Sequence, residues 1–165
     1  GLLGVLNSSL LNYYHKKNTI PQANGFYRYQ KTFIKSFPLK DFYSNHNIYQ
    51  IIGVLSKMIV SVLSFDYILN SHVPNSHIAQ LFEEVIDAMV MELYFKEDFE
   101  KVGIEFTKYA ERDFESIEGK SESEQIESIH RAYQKLREKD NEIRNNLKLM
   151  DIKLADIVMP IKAAK

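Results

Sequence analysis

One run of apolar residues constrains the fold more than any other feature of the chain. Within residues 47–70, Ile51, Leu55, Met58, Val62, Phe65 and Leu69 recur at intervals of three and four, and Ile48, Ile52 and Ile59 widen the stripe. That period lays them along one side of an α-helix. Polar positions narrow to Gln50, Lys57, Ser61 and Ser64. A helix with so thin a wet side belongs at the centre of the packing. Gln50, Lys57 and Asp66 interrupt the run, which argues against a membrane span.

The neighbouring segments repeat the helical period. Residues 77–95 place Ile78, Phe82, Val85, Ile86, Met89 and Leu93 on a dry face and Gln80, Glu83, Glu84 and Asp87 on a wet one. Residues 96–102 extend that helix or form a separate turn, and Gly103 stands where helices commonly stop. Residues 2–17 read as one helix, with Leu3, Leu6, Leu10, Tyr13 and Tyr14 on one face. A loop at 18–25, with Pro21 inside, leads to a short basic helix or turn at 26–36, and Pro38 keeps Phe37 extended. Residues 106–117 form a weaker, charged helix. Ser121 and Glu124 have the spacing of a capping box, and Ile126, Ile129, Tyr133 and Leu136 follow as a stripe. Residues 143–150 give a last turn or two of helix. At 156–161 the pattern suits a short strand, which Pro160 would confine to an edge. The expectation is a mainly α chain: a helical bundle with an irregular basic N-terminal segment and at most one or two short strands.

Charge divides the chain unevenly. The first forty residues carry Lys16, Lys17, Arg28, Lys31, Lys35 and Lys40 and no acid, whereas the rest holds 15 basic and 22 acidic side chains. A formal net charge of -1 therefore hides a cationic front and an acidic remainder. Such asymmetry points to a polyanionic partner at one end. Tyr13, Tyr14, Phe26, Tyr27, Tyr29, Phe33 and Phe37 are interleaved with the cations. Charge with rings suits phosphate attraction plus base or sugar contact. The plainer alternative is a solvated cationic edge whose rings pack inward. Gly1 runs directly into Leu2, Leu3, Val5 and Leu6, which reads as a piece of a longer protein.

Several chemistries are disfavoured. The chain has no cysteine, so disulfides, thiolate metal sites and cysteine nucleophiles are excluded, and a reducing cytoplasm suits it. His15, His46, His72, His77 and His130 are scattered, with no pair at helical ligand spacing. Ser8, Ser9, Ser61 and Ser64 lie in helical patterns and not on a strained elbow. Glu83, Glu84, Asp87 and Glu92 read as a solvated face. Glu118-Gly119-Lys120, with Asp113 upstream, has the spacing of metal-dependent nucleases, but it lies in a polar link and not on converging strands.

Several segments resemble a known family. Residues 24–31 (Asn-Gly-Phe-Tyr-Arg-Tyr-Gln-Lys) and 33–39 (Phe-Ile-Lys-Ser-Phe-Pro-Leu) resemble the end of the TaqI-like specificity domain. The helix before them, ending Leu10-Leu11-Asn12-Tyr13-Tyr14, fits the pattern that precedes that loop. Residues 86–95 are similar to a helix of the same family, and residues 143–151 resemble a C-terminal segment of combined restriction–modification proteins. The resemblance implies an N6-adenine DNA methyltransferase parent, with S-adenosylmethionine as methyl donor and, where an endonuclease is fused, Mg. The family's glycine loop and Asn-Pro-Pro-aromatic motif are absent here, and Lys40 stands where its exit has a second proline.

These readings combine into one expectation. Residues 1–40 would be the tail of a DNA target-recognition domain and residues 41–165 a C-terminal helical bundle, with no catalysis by this chain alone and no metal of its own. Lys16, Lys17, Arg28, Lys31 and Lys35 would neutralise phosphates of double-stranded DNA, and Asn24, Tyr27 and Arg28 would approach more closely. The bundle would dock against an upstream methyltransferase domain or a second subunit. The alternative is a helical protein–protein interaction module with no DNA role.

Overall fold

The computed structural model describes residues 1–22, 26–28, 31–65 and 73–164. Among these residues it contains ten helices and no strand: α1 (Leu2–Leu6), α2 (Ser9–Asn18), α3 (Lys31–Lys35), α4 (His46–Ser64), α5 (Asn75–Tyr94), α6 (Lys96–Val102), α7 (Thr107–Asp113), α8 (Glu122–Arg137), α9 (Glu142–Lys153) and α10 (Ala155–Lys162). The fold is a mainly α helical bundle, as the periodicity requires.

The bundle is built around α4 and α5, which pack most extensively on each other. Helix α4 buries Ile48, Tyr49, Ile51, Ile52, Leu55, Met58 and Val62. Helix α5 buries Ile78, Phe82, Val85, Ile86 and Met89, and also Ala79, Ala88, Val90 and Met91. Each large side chain so enclosed contributes about 1.5–3 kcal/mol before entropy is counted. By length and composition α4 could cross a membrane, but Ile52, Leu55, Met58 and Val62 are fully enclosed by the rest of the bundle. Its helical turns end at Ser64, with Phe65 extended. The expected continuation to 70, including Leu69, lies outside the described residues.

The first helix expected at 2–17 is two. Ser8 adopts an extended conformation, accepts a hydrogen bond from the Leu11 amide and donates to the Val5 carbonyl. A serine that caps in this way stops one helix and starts the next. The break rotates the buried face: Gly4, Val5, Leu10, Leu11 and His15 are enclosed, whereas Leu3 is exposed. Gly4 is required by proximity, because a Cβ there would lie 2.5 Å from Ile52 Cγ2. Helices α1 and α2 thus join the bundle directly, α1 on α4 and α2 on α10.

Gly103 ends α6 with φ 70, and the Ile104 amide donates back to Phe99 O at 3.0 Å. Ser121 and Glu124 form the expected capping box at the start of α8. The charged helix expected at 106–117 stops at Asp113, where Phe114 turns inward and meets Phe82 edge-on at 5.5 Å. Helix α9 is longer than expected. Asn141 caps it, accepting from the Arg144 amide.

Residues 156–161 are helical rather than a strand. Leu154, Val158 and Ile161 are buried at intervals of four and three, so apolar burial fixes the helical period. Pro160 removes one amide from the short α10 without preventing its other bonds.

Candidate interaction surface

The basic segment is anchored on the last turns of α2. His15 is fully buried there, with Tyr27 edge-on at 6.4 Å and Phe37 edge-on at 6.0 Å. Burial pushes its imidazole below the ordinary pKa. Phe37 also meets Tyr14 at 5.9 Å, and Tyr14 Oη donates to the Ser36 carbonyl. These rings pin both ends of the stretch 27–37 to α2.

The six cations of this region fare differently. Lys16 is half-buried and donates to the Ala164 carbonyl just past the end of α10, where helix carbonyls carry partial negative charge. Lys40 lies 5.7 Å from the ring of Tyr94, and Lys17 lies 5.5 Å from that of Tyr13. Lys17, Arg28, Lys31, Lys35 and Lys40 are exposed. Every ion pair among the described residues joins groups from Lys57 onward, so none of these cations is neutralised by a described carboxylate. Asn24 lies outside the described residues. Tyr27 is half-buried, with Lys16 6.0 Å from its ring. Exposed apolar side chains accompany the cations: Ile20, Phe26, Ile34, Leu39, Phe42 and Tyr43, with Phe26 72% and Tyr43 88% accessible. The sequence reading assigned packing or base contact to the rings and overlooked the aliphatic members.

Several carboxylates are committed to structure. Two on α5, expected to be solvated, cap other helices. Asp87 accepts from the amide and hydroxyl of Ser9 at 2.8 and 2.5 Å, at the start of α2. Glu92 accepts from the amides of Phe106 and Thr107 at 3.0 and 2.9 Å, and from the Thr107 hydroxyl at 2.6 Å. Burial raises the Glu92 carboxyl above its ordinary pKa, against the pull of those three bonds.

The nuclease-like trio does not converge. Asp113 is held by Arg112 at 2.6 Å, Lys135 at 2.7 Å and Asn141 at 2.9 Å. Glu118 pairs with Lys57 at 2.7 Å, and Lys120 with Glu115 at 3.1 Å. No metal-binding cluster occurs among the described residues. A groove of about 640 Å³ between the start of α4 and α5–α7 contains Glu92, Lys96 and Tyr109. Its one half-buried carboxylate already serves as a cap, so it offers no nucleophile–base pair among the described residues.

No family model, characterised protein or solved structure matches the chain. That finding overturns the restriction–modification, methyltransferase and DNA-recognition identity drawn from those segments. Two of those patterns have packing explanations. Ile86, Ala88, Met89, Val90 and Met91 are buried core, as are Ile143 and Met150 of α9.

Proposed function

We propose that the chain is a helical protein–protein interaction module whose basic front surface docks an acidic, amphipathic segment of a protein partner. The carrying observation is the exposed set Lys17, Arg28, Lys31 and Lys35, unopposed by any described carboxylate in a molecule with 22 acids. Cations in no ion pair among the described residues, alternating along the sequence with the exposed Ile20, Phe26, Ile34 and Leu39, suit a partner that offers carboxylates and apolar side chains together. A phosphate track would use the charges but leave the aliphatic groups without partners. The absence of cysteine suits a reducing cytoplasm.

The test is fluorescence anisotropy with a labelled peptide in which Asp and Glu alternate with Leu and Phe. Binding should weaken as salt rises and drop by about tenfold or more in Lys31→Glu/Lys35→Glu. A mixed-sequence DNA duplex is the second probe. Duplex binding with a steep salt slope, and no binding of the peptide, would replace this reading with a nucleic-acid one. Failure to bind either probe would also refute it.

A further inference from the structure

A small apolar groove opens at the other end of α2. It holds about 210 Å³ between α1, α4 and α5, and its walls include Leu3, Ile59, Val60 and Ile86 with Glu83 and Asp87 at the rim. That volume is below the range of small-molecule sites and suits one large side chain. Leu3 and Val60 are 67% and 69% exposed, so an apolar occupant would cover surface that water now wets. Asp87 is committed to Ser9, whereas Glu83 is exposed and in no ion pair among the described residues.

The chain itself displays the complementary chemistry. Phe26 is exposed, and its carbonyl accepts from the Gln22 amide at 2.8 Å. Arg28 follows two residues later, exposed and without a described carboxylate partner. Aromatic side chains and arginine are both enriched at protein interfaces. Neither Phe26 nor Arg28 lines the groove of its own molecule. The groove adjoins Ser8 before α2, and Tyr27 rests on His15, about 10 Å further along the helix by the rise of seven residues.

We propose that a second copy of this chain is the partner: Phe26 of one copy fills the groove of the next, and Arg28 pairs with that copy's Glu83. This rests on the interaction-module reading and specifies its partner. The contact is heterologous, because two different patches meet. Association therefore continues into chains or rings instead of stopping at a two-fold dimer. Charge complementarity supports it, since the cationic front of each copy faces the acidic remainder of its neighbour.

Sedimentation velocity over a range of concentrations tests this, with circular dichroism to check folding. The wild-type average mass should rise past that of two chains at low salt. Phe26→Ala, Arg28→Glu and Glu83→Arg should each weaken association by about tenfold. Mixing Arg28→Glu with Glu83→Arg should restore it, because each variant then presents charges complementary to the other. A single-chain mass at every concentration would overturn the proposal, as would single variants that associate like wild type or a mixture that stays dissociated. A monomer that still binds the acidic peptide rejects self-association but keeps the module reading. A monomer that binds no peptide rejects both.

Discussion

Removing the Asp113 carboxylate should loosen the junction of α7, α8 and α9. Its side chain is fully enclosed, and it joins Arg112 of α7, Lys135 of α8 and Asn141, the cap of α9. Deleting one partner of a buried charge pair costs about 3–5 kcal/mol. Arg112 and Lys135 keep 45% and 36% exposure, so water recovers part of the loss. Asn141 stays buried and loses an acceptor, at about 1–3 kcal/mol. The expected cost of Asp113→Ala is about 2–4 kcal/mol in urea unfolding near neutral pH. Acid supplies a second check. Burial alone would raise the Asp113 carboxyl, but its bonds to Arg112, Lys135 and Asn141 outweigh that and hold it below the ordinary range. A folded-state pKa below the unfolded one gives stability that is present above the ordinary value of about 4 and is lost as pH falls through the folded value. Glu142, held at about 2 by Arg112, contributes with the same sign. The gap between wild type and Asp113→Ala should therefore shrink as pH falls below about 4. A cost under about 1 kcal/mol, or a gap that widens in acid, would refute the reasoning.

Other perturbations probe separate parts of the bundle by the same unfolding assay. Glu92→Ala removes the cap of α7 and should cost about 1–3 kcal/mol, with faster amide exchange at Phe106 and Thr107. Gly103→Ala should cost about 1–2 kcal/mol from left-handed backbone strain alone, because nothing lies within 4 Å of the added carbon. Phe82→Ala, at the fully buried centre of α5, should cost about 3–5 kcal/mol.

The stripes of α4 and α5 were legible because local period alone decides which side of a helix is buried. The capping box at Ser121 and the stop at Gly103 were legible for the same reason: each signal spans a few residues. The break at Ser8 was not, since serine is tolerated inside helices and its capping bond depends on a backbone already turned. Pro160 misled because its strand-edge signal ignored the burial of Val158 and Ile161 against the bundle. The cap that Asp87 provides joins residues 78 apart in sequence, beyond any local pattern. In the candidate surface, charge segregation could be read directly. The engagement of Lys16 by Ala164 could not, because it requires α10 to lie beside α2.

The claim that carries the functional account is that the front cations lie open for a partner's carboxylates. Side-chain NMR of the lysine ammonium and arginine guanidinium groups, recorded while the acidic peptide is added, tests it most directly. The account predicts shifts centred on Lys17, Arg28, Lys31 and Lys35 that fade as salt is raised. Shifts confined to the cations of α7–α9, with the front cations unmoved at saturating peptide, would contradict it.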